Sequence, residues 1–418
     1  MRSILVRTIV GLDIGTCWIR TVIAEVNAAD EVEIIGISKR PSLGVRNGVI
    51  VNIDATKNVI RETIEAAEII AGTTVVEVYT SIGGSQVTSL PSTGVVGADP
   101  RGGNHEVEIR QEAKNRALEC AKAVSIPLNE ILLHILPQEY LVDGREYANP
   151  IGIKGVRLEV KTLLLKVSTS AFANIKECIT RAEYQLRRIT LKTLAAAYAT
   201  LREDERDLGS ILIDLGGGST DVIVLNKDAP VFTTSIPAGG NRVTNDISTV
   251  MGVPFSVAEE LKLKYGTCWL DEGEADDEVI IPGVGGLPPE VTVKSVLSEI
   301  ITARVEEILM SAKKEVVRRS GLTELRGTIV LAGGGALMPG IETLAQEVWK
   351  TTAVRIGCTA DYGGSDDSYR NADFATAVGL VLANRNDDTP GAVPRRNAKK
   401  QKADLKRSWF RSLLKKIN

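Results

Sequence analysis

Carboxylates that lead straight into glycine and hydroxyl residues occur at two places in this chain. Asp214 is followed by Gly216, Gly217, Gly218, Ser219, Thr220 and Asp221, and Asp13 is followed by Gly15 and Thr16. Three consecutive glycines remove every Cβ, so backbone N–H groups can approach an anion closely and φ can turn positive. A carboxylate repels a bare phosphate. The combination makes sense if Mg2+ and its water shell sit between the two. A glycine hairpin without a ligand is the alternative for either turn taken alone. Two such turns, about two hundred residues apart, point to duplicated domains rather than a solenoid, and together they could clamp one nucleotide from both sides.

Each turn needs two strands to hold it. Branched apolar runs at 9–12 and 19–24 flank the first, and runs at 211–213 and 222–225 flank the second. Residues 33–39 and 231–236 continue each hairpin as a third strand. Asp54 caps a helix over 55–71 that turns Val59, Ile60, Ile64, Ala67 and Ile70 inward, and 75–82 is a strand. Residues 86–167 have another texture, with a helix at 110–124 and strands at 131–136, 139–142 and 156–167, as in a small α+β module inserted into the first domain. Helical periodicity covers 170–190, and 193–201 is an alanine-rich helix. A tight loop at 237–241 opens a helix over 242–251, Ser256 caps another reaching Tyr265, and a long amphipathic helix spans 293–320. A strand at 328–332 runs into Gly333, Gly334, Gly335, Ala336, Leu337 and Met338, with Pro339 opening the next helix. Free N–H groups at a helix start suit a phosphate or an adenosine, although a purely structural glycine turn is the commoner case. Residues 372–383 form a last small-residue helix.

Composition narrows the choice. Hydrophobic residues at 44% are enough for sizeable cores, while aromatics at 4% are too sparse for a base-stacking platform, so no nucleic-acid partner is expected. Five scattered cysteines without a CxxC spacing indicate neither a disulfide framework nor a zinc site. Only His105 and His134 could serve a histidine-assisted nucleophile, and no motif surrounds either. Arg7 interrupts the first apolar run, so it does not read as a signal peptide, and no uncharged apolar stretch is long enough to span a bilayer as a helix. From Arg395 onward ten basic residues face the single acid Asp404, giving a basic tail on an acidic body. After a polar linker at 385–404, Trp409, Phe410, Leu413, Leu414 and Ile417 fall on one side of a helical wheel. Arg407, Arg411 and Lys415 fall on the other side, with Lys416 at the border. That pattern suits a helix lying in an anionic membrane interface. A helix docked on a protein is the alternative.

The turns at Asp13–Thr16, Asp214–Asp221 and Gly333–Ala336 resemble the two phosphate motifs and the adenosine motif of the actin, Hsp70 and sugar-kinase superfamily. Within it the chain is most similar to the FtsA family of bacterial cell-division proteins. The similarity is carried by residues 136–140 (LPQEY), 142–144 (VDG), 149–161, 282–289 (PGVGGLPP) and the terminal SWFRSLLKK. The resemblance implies an α/β fold of two actin-like lobes around a nucleotide cleft. It divides the chain into a first lobe (1–85, 168–192 and 361–384), a second (193–225 and 302–360), the inserted subdomain (86–167), a subdomain at 226–301, the linker and a membrane-targeting helix at 405–418. It implies ATP contacts at Asp13, Gly15, Thr16, Cys17, Trp18, Asp214, Gly216, Gly217, Gly218, Ser219, Gly240, Glu259, Lys262, Gly333, Gly334, Gly335 and Met338. Mg2+ would be held through water by Asp13 and Asp214. Implied partners are the FtsZ C-terminal peptide at 226–301, further copies of the chain in a polymer, later division proteins, and the cytoplasmic face of the membrane at the division site. The family usually places a lysine where this chain has Trp18, and a histidine where it has Gln86. No water-activating residue is identifiable, so slow hydrolysis at most is expected. The competing readings are a pilus-assembly platform of the same fold and a small-molecule kinase of the superfamily.

Overall fold

The computed structural model describes residues 6–103, 105–271, 273–283, 288–320, 327–364, 366–386 and 392–393. The tail helix, with Arg407, Trp409, Phe410, Arg411, Leu413, Leu414, Lys415 and Lys416, and most of the linker before it lie outside these residues.

Arg7–Ile14 and Trp18–Val26 are apolar and largely branched, and they pair antiparallel as the first hairpin, with Val32–Pro41 beyond. Glu77–Ile82 joins Arg7–Ile14 in parallel, and Gln185–Leu191 joins Glu77–Ile82 in parallel. By order along the chain the sheet therefore runs third, second, first, fourth, fifth. The second sheet repeats that order: Ala229–Ile236, Thr220–Asn226, Ser210–Leu215, Thr328–Ala332, Val354–Ile356. The echo of two loops is thus an echo of two whole sheets. Their central strands are buried on both faces, which explains why they read as continuous apolar runs.

Helices cover both faces of each sheet. Val59, Ile60 and Ile64 of Ile53–Ala71 and Ile175 and Ile179 of Thr169–Arg181 pack on one face of the first sheet, against Val10, Leu12, Ile19 and Ile23. Gly240–Met251, Lys294–Ser320 and Ile341–Trp349 cover the corresponding face of the second, against Ile211, Ile213 and Val222. The remaining two helices are exchanged. Lys192–Thr200 follows the last strand of the first sheet but packs Leu194 and Ala197 on Leu212, Ile223 and Val330 of the second. Ala375–Ala383 follows the last strand of the second sheet but packs Ala377, Val378 and Leu380 on Ile9 and Val22 of the first. The exchanged helices touch backbone to backbone: a Cβ on Gly379 would lie 1.7 Å from the Ala195 carbonyl oxygen. Small residues are what this crossing requires.

The inserted module leaves the first lobe after Gly84 and returns at Ser168. Its sheet runs Arg145–Tyr147, Glu130–Val142, Arg157–Ser168, Val87–Gly97, with Gln111–Ala121 packed across it. It also reaches the second lobe. Gln138 Nε2 donates to the Pro230 and Val231 carbonyls at 2.7 and 3.0 Å, and Lys227 pairs with Glu146 at 2.6 Å.

Several local expectations are corrected. Asn52 rather than Asp54 caps the helix Ile53–Ala71, accepting from the Ala55 N–H at 3.0 Å, and Ile70 is exposed. The helix expected over 170–190 ends at Arg181; Glu183 takes a left-handed φ of 73°, and the branched run after it pairs as the strand Gln185–Leu191. Two expected strands are one, Glu130–Val142, which stays paired with Arg157–Ser168 across register shifts at Leu132/His134 and Pro137/Glu139, with Pro137 opposite Thr162. Ser256 caps nothing; the helix Phe255–Tyr265 begins after Pro254 without a side-chain cap. Within the linker, Ala392–Val393 pairs antiparallel with Thr74–Val75.

Candidate functional site

The two hairpins aim their turns at one another across a cleft of about 610 Å³. They close in the same way. The Gly15 N–H donates to the Trp18 carbonyl at 3.0 Å, and the Gly216 N–H donates to the Ser219 carbonyl at 3.0 Å. A Cβ on either glycine would meet that same carbonyl, at 2.7 and 2.8 Å respectively. The next two glycines face the opposite jaw instead. A Cβ on Gly217 would lie 2.3 Å from Cys17 Sγ, and one on Gly218 would lie 2.6 Å from the Asn47 Cα. The hairpin alternative therefore accounts for Gly15 and Gly216, whereas Gly217 and Gly218 exist to let two lobes close.

Asp13 and Asp214 end the two leading strands, at 3% and 1% exposure. Burial pushes the Asp13 carboxyl upward against the pull of Lys192 and Arg20, and Ser81 Oγ donates to its Oδ1 at 3.0 Å. Asp221 is also raised by burial. It ties the lobes, accepting from the Gly84 N–H at 3.0 Å through Oδ1 and from Ser219 Oγ at 3.1 Å through Oδ2. Asp214 is different. Lys192 Nζ pairs with its Oδ2 at 3.1 Å, while its Oδ1 has no hydrogen-bond donor among the described residues. A buried carboxylate left in that state calls for a further donor or cation. Among the described residues no three His, Cys, Asp or Glu side chains converge to hold a metal directly. A hydrated Mg2+ shared with phosphate oxygens fits a pair of such aspartates, since this ion keeps several waters.

Lys192 was not legible in the sequence as a site residue. It opens the exchanged helix Lys192–Thr200, directly after the strand Gln185–Leu191. Burial opposes its charge, but Asp214, Asp13 and Asp221 outweigh burial and hold it above the usual lysine range. The available signal is a lone lysine between a strand end and an alanine run; nothing local ties it to the three aspartates elsewhere. Arg20 and Asp373 were missed as well. Arg20 Nη2 and Lys39 Nζ meet Asp373 Oδ2 at 2.9 and 2.7 Å, and that Nζ lies 4.5 Å from the Trp18 ring centroid.

On the other side of the cleft, Lys262 Nζ reaches Glu259 Oε2 at 2.7 Å, Thr244 Oγ1 at 2.8 Å and the Gly240 carbonyl at 3.3 Å. Gly333 takes a φ of 82°, and a Cβ there would lie 2.2 Å from Asp214 Oδ1. A 3-10 turn, Gly334–Leu337, then separates the strand from the helix Ile341–Trp349, so glycine backbone rather than a helix opening at Pro339 follows the strand end. Cys17 Sγ donates to Asn241 Oδ1 at 3.1 Å, and burial raises its pKa. All the candidate contacts from Asp13 to Met338 line this one cleft, although 325 positions separate the first from the last.

Comparison with known proteins places this geometry. The family model of the cell division protein FtsA matches residues 211–379, and that of the SHS2 domain inserted in FtsA matches 84–166. The chain is 40% identical over 413 residues to the cell division protein FtsA of Borreliella burgdorferi, covering 96% of this chain and 99% of that one. Among solved structures, the PilM-PilN type IV pilus biogenesis complex aligns over 90% of this chain and 98% of that one, with a TM-score of 0.64 and 17% identity. MreB5 of Spiroplasma citri bound to ADP aligns over 91% and 98%, with a TM-score of 0.52 and 13% identity. Likenesses at that identity establish an actin-like fold. The near full-length identity at 40%, the repeated sheet order and the inserted SHS2 module together show that this chain belongs to the FtsA family of cell-division proteins.

Proposed function

We propose that this protein is an ATP-binding, actin-like adaptor that self-assembles on the cytoplasmic face of the membrane at the division site and tethers FtsZ filaments there. The observation that carries the reading is the pair of matched turns closing on one cleft, with a buried Asp214 whose Oδ1 has no hydrogen-bond donor among the described residues. Asp13 and Asp214 would hold Mg2+ through its waters, the glycine backbone of both turns would receive the phosphates, and Glu259, Lys262, Gly335 and Met338 would flank the nucleoside. A related fold in Spiroplasma citri MreB5 bound to ADP supports this. The subdomain at 226–301 would receive the FtsZ C-terminal peptide, and the inserted module at 86–167 would serve self-assembly and later division proteins. No catalytic residue is assigned; turnover is slow at most.

The tail supplies the membrane contact. Each apolar side chain contributes about 1.5–3 kcal/mol if fully buried and each basic residue about 1 kcal/mol at an anionic leaflet. Fixing a backbone residue costs about 1–2 kcal/mol, so one such tail would bind reversibly and an assembly of them firmly. The test is co-sedimentation with anionic liposomes and FtsZ, with and without ATP. FtsZ should pellet with liposomes only when this protein is present, and ending the chain at Asp404 should abolish that. Full pelleting by the truncated protein contradicts the membrane role of the tail.

A further inference from the structure

We propose that Lys192 is the phosphate-recognising cation of this cleft, placed to pair with the terminal phosphate of a nucleoside triphosphate. The inference rests on the nucleotide reading above and names a residue that neither turn provides.

A triphosphate brings several negative charges into a site that already buries Asp13, Asp214 and Asp221. The turns themselves offer backbone, hydroxyl, thiol and carboxylate groups but no cation, with Trp18 closing the first. Among the described residues four cations line the cleft: Arg20, Lys39, Lys192 and Lys262. Three are committed. Arg20 and Lys39 share Asp373, and Lys262 is hydrogen-bonded to Glu259, Thr244 and Gly240. Lys192 is held by one ion pair, to the aspartate that leads the second turn. Its Nζ lies 3.1 Å from Asp214 and 3.5 Å from where a Cβ on Gly216 would be. That ion pair engages Oδ2 of Asp214, and Oδ1 has no hydrogen-bond donor among the described residues. A lysine ammonium is a compact charge with three rotatable donors on a flexible stem, so it can turn from a carboxylate to a phosphate oxygen a short distance away. The strand and helix that meet at Lys192 fix its Cβ, with a Cβ on Gly83 only 3.1 Å away.

The test is the affinity of the full chain for ATP, ADP and adenosine in Mg2+, by calorimetry, for the wild type, Lys192→Met and Lys192→Arg. Losing a charge-assisted contact costs about tenfold to a hundredfold. Lys192→Met should lose that much for ATP, less for ADP and nothing for adenosine, while Lys192→Arg keeps most of the preference. A wild type that binds none of the three overturns the nucleotide reading and this inference with it. A wild type that binds ATP, with an unchanged ATP-over-adenosine preference in Lys192→Met, overturns this inference alone, as does an equal loss for all three ligands. A second measurement needs no variant: ATP, and not adenosine, should protect Lys192 of the wild type from amine acylation read by mass spectrometry. Equal labelling with both ligands overturns the proposal.

Discussion

A carboxylate taken out of water persists only if something nearby compensates it, and each aspartate in this cleft is compensated differently. Asp13 has a serine hydroxyl and a more distant guanidinium, Asp221 has a backbone N–H from the opposite lobe, and Asp214 has the Lys192 ammonium. The ammonium is itself positioned from the inserted module. His134 Nε2 accepts the N–H of Leu191, the residue before Lys192, at 3.1 Å. Burial, with Arg188 nearby, lowers the His134 pKa to about 4, so it is neutral in the fold. The unfolded imidazole takes up its proton near pH 6.5, and the folded one only near 4. The stability it contributes is therefore complete above about pH 6.5 and is lost as the pH falls toward 4, by at most about 3 kcal/mol. Melting temperatures between pH 7 and pH 4 should fall more steeply for the wild type than for His134→Gln, whose amide oxygen can accept the same N–H at either pH. Parallel curves would show that His134 is not held neutral. Asp13, Asp214 and their glycines were legible from sequence because turn chemistry is local. Lys192, Arg20 and Asp373 were not, since what they do is decided by partners as far as 353 positions away.

At the scale of elements, the exchanged helices explain how two lobes can share one cleft. Each leaves its own sheet and packs on the other, so a shift of either lobe must pass through their crossing. Gly379 and Ala195 sit at that crossing with no room for a methyl group. Gly379→Val should lower the melting temperature, at a cost of about 1–3 kcal/mol for overpacking or more, because the obstacle is backbone and cannot rotate away. An unchanged melting temperature, followed by scanning calorimetry, would mean that the two helices can part freely. The small-residue character of both helices was visible in the sequence, but not which sheet each covers. The apolar spacing of Gln185–Leu191 fits a helical or a strand period over so short a run, and its sheet partner Glu77–Ile82 decides for strand. The single long strand Glu130–Val142 was split for a related reason: Pro137 looks like a terminator until a register shift accommodates it.

For the whole molecule, the same sheet order appears twice and the second copy faces the first. The loop echo was readable from spacing, whereas the identity of the complete sheets was not, since helices and an inserted module separate strands that end up adjacent. The jaws already touch through Asp221 and Gly84 and through Cys17 and Asn241, and the module bridges both lobes through Gln138. The nucleotide cleft is the claim on which the rest depends. Its most direct test is the affinity for ATP in Mg2+ of the wild type and of Asp214→Ala, repeated with a chelator. Removing a group that orients a hydrated metal costs about tenfold to a hundredfold. Asp214→Ala should lose that much affinity in Mg2+, and less when the metal is chelated; equal affinity of the two proteins in Mg2+ would rule out the metal-dependent nucleotide site.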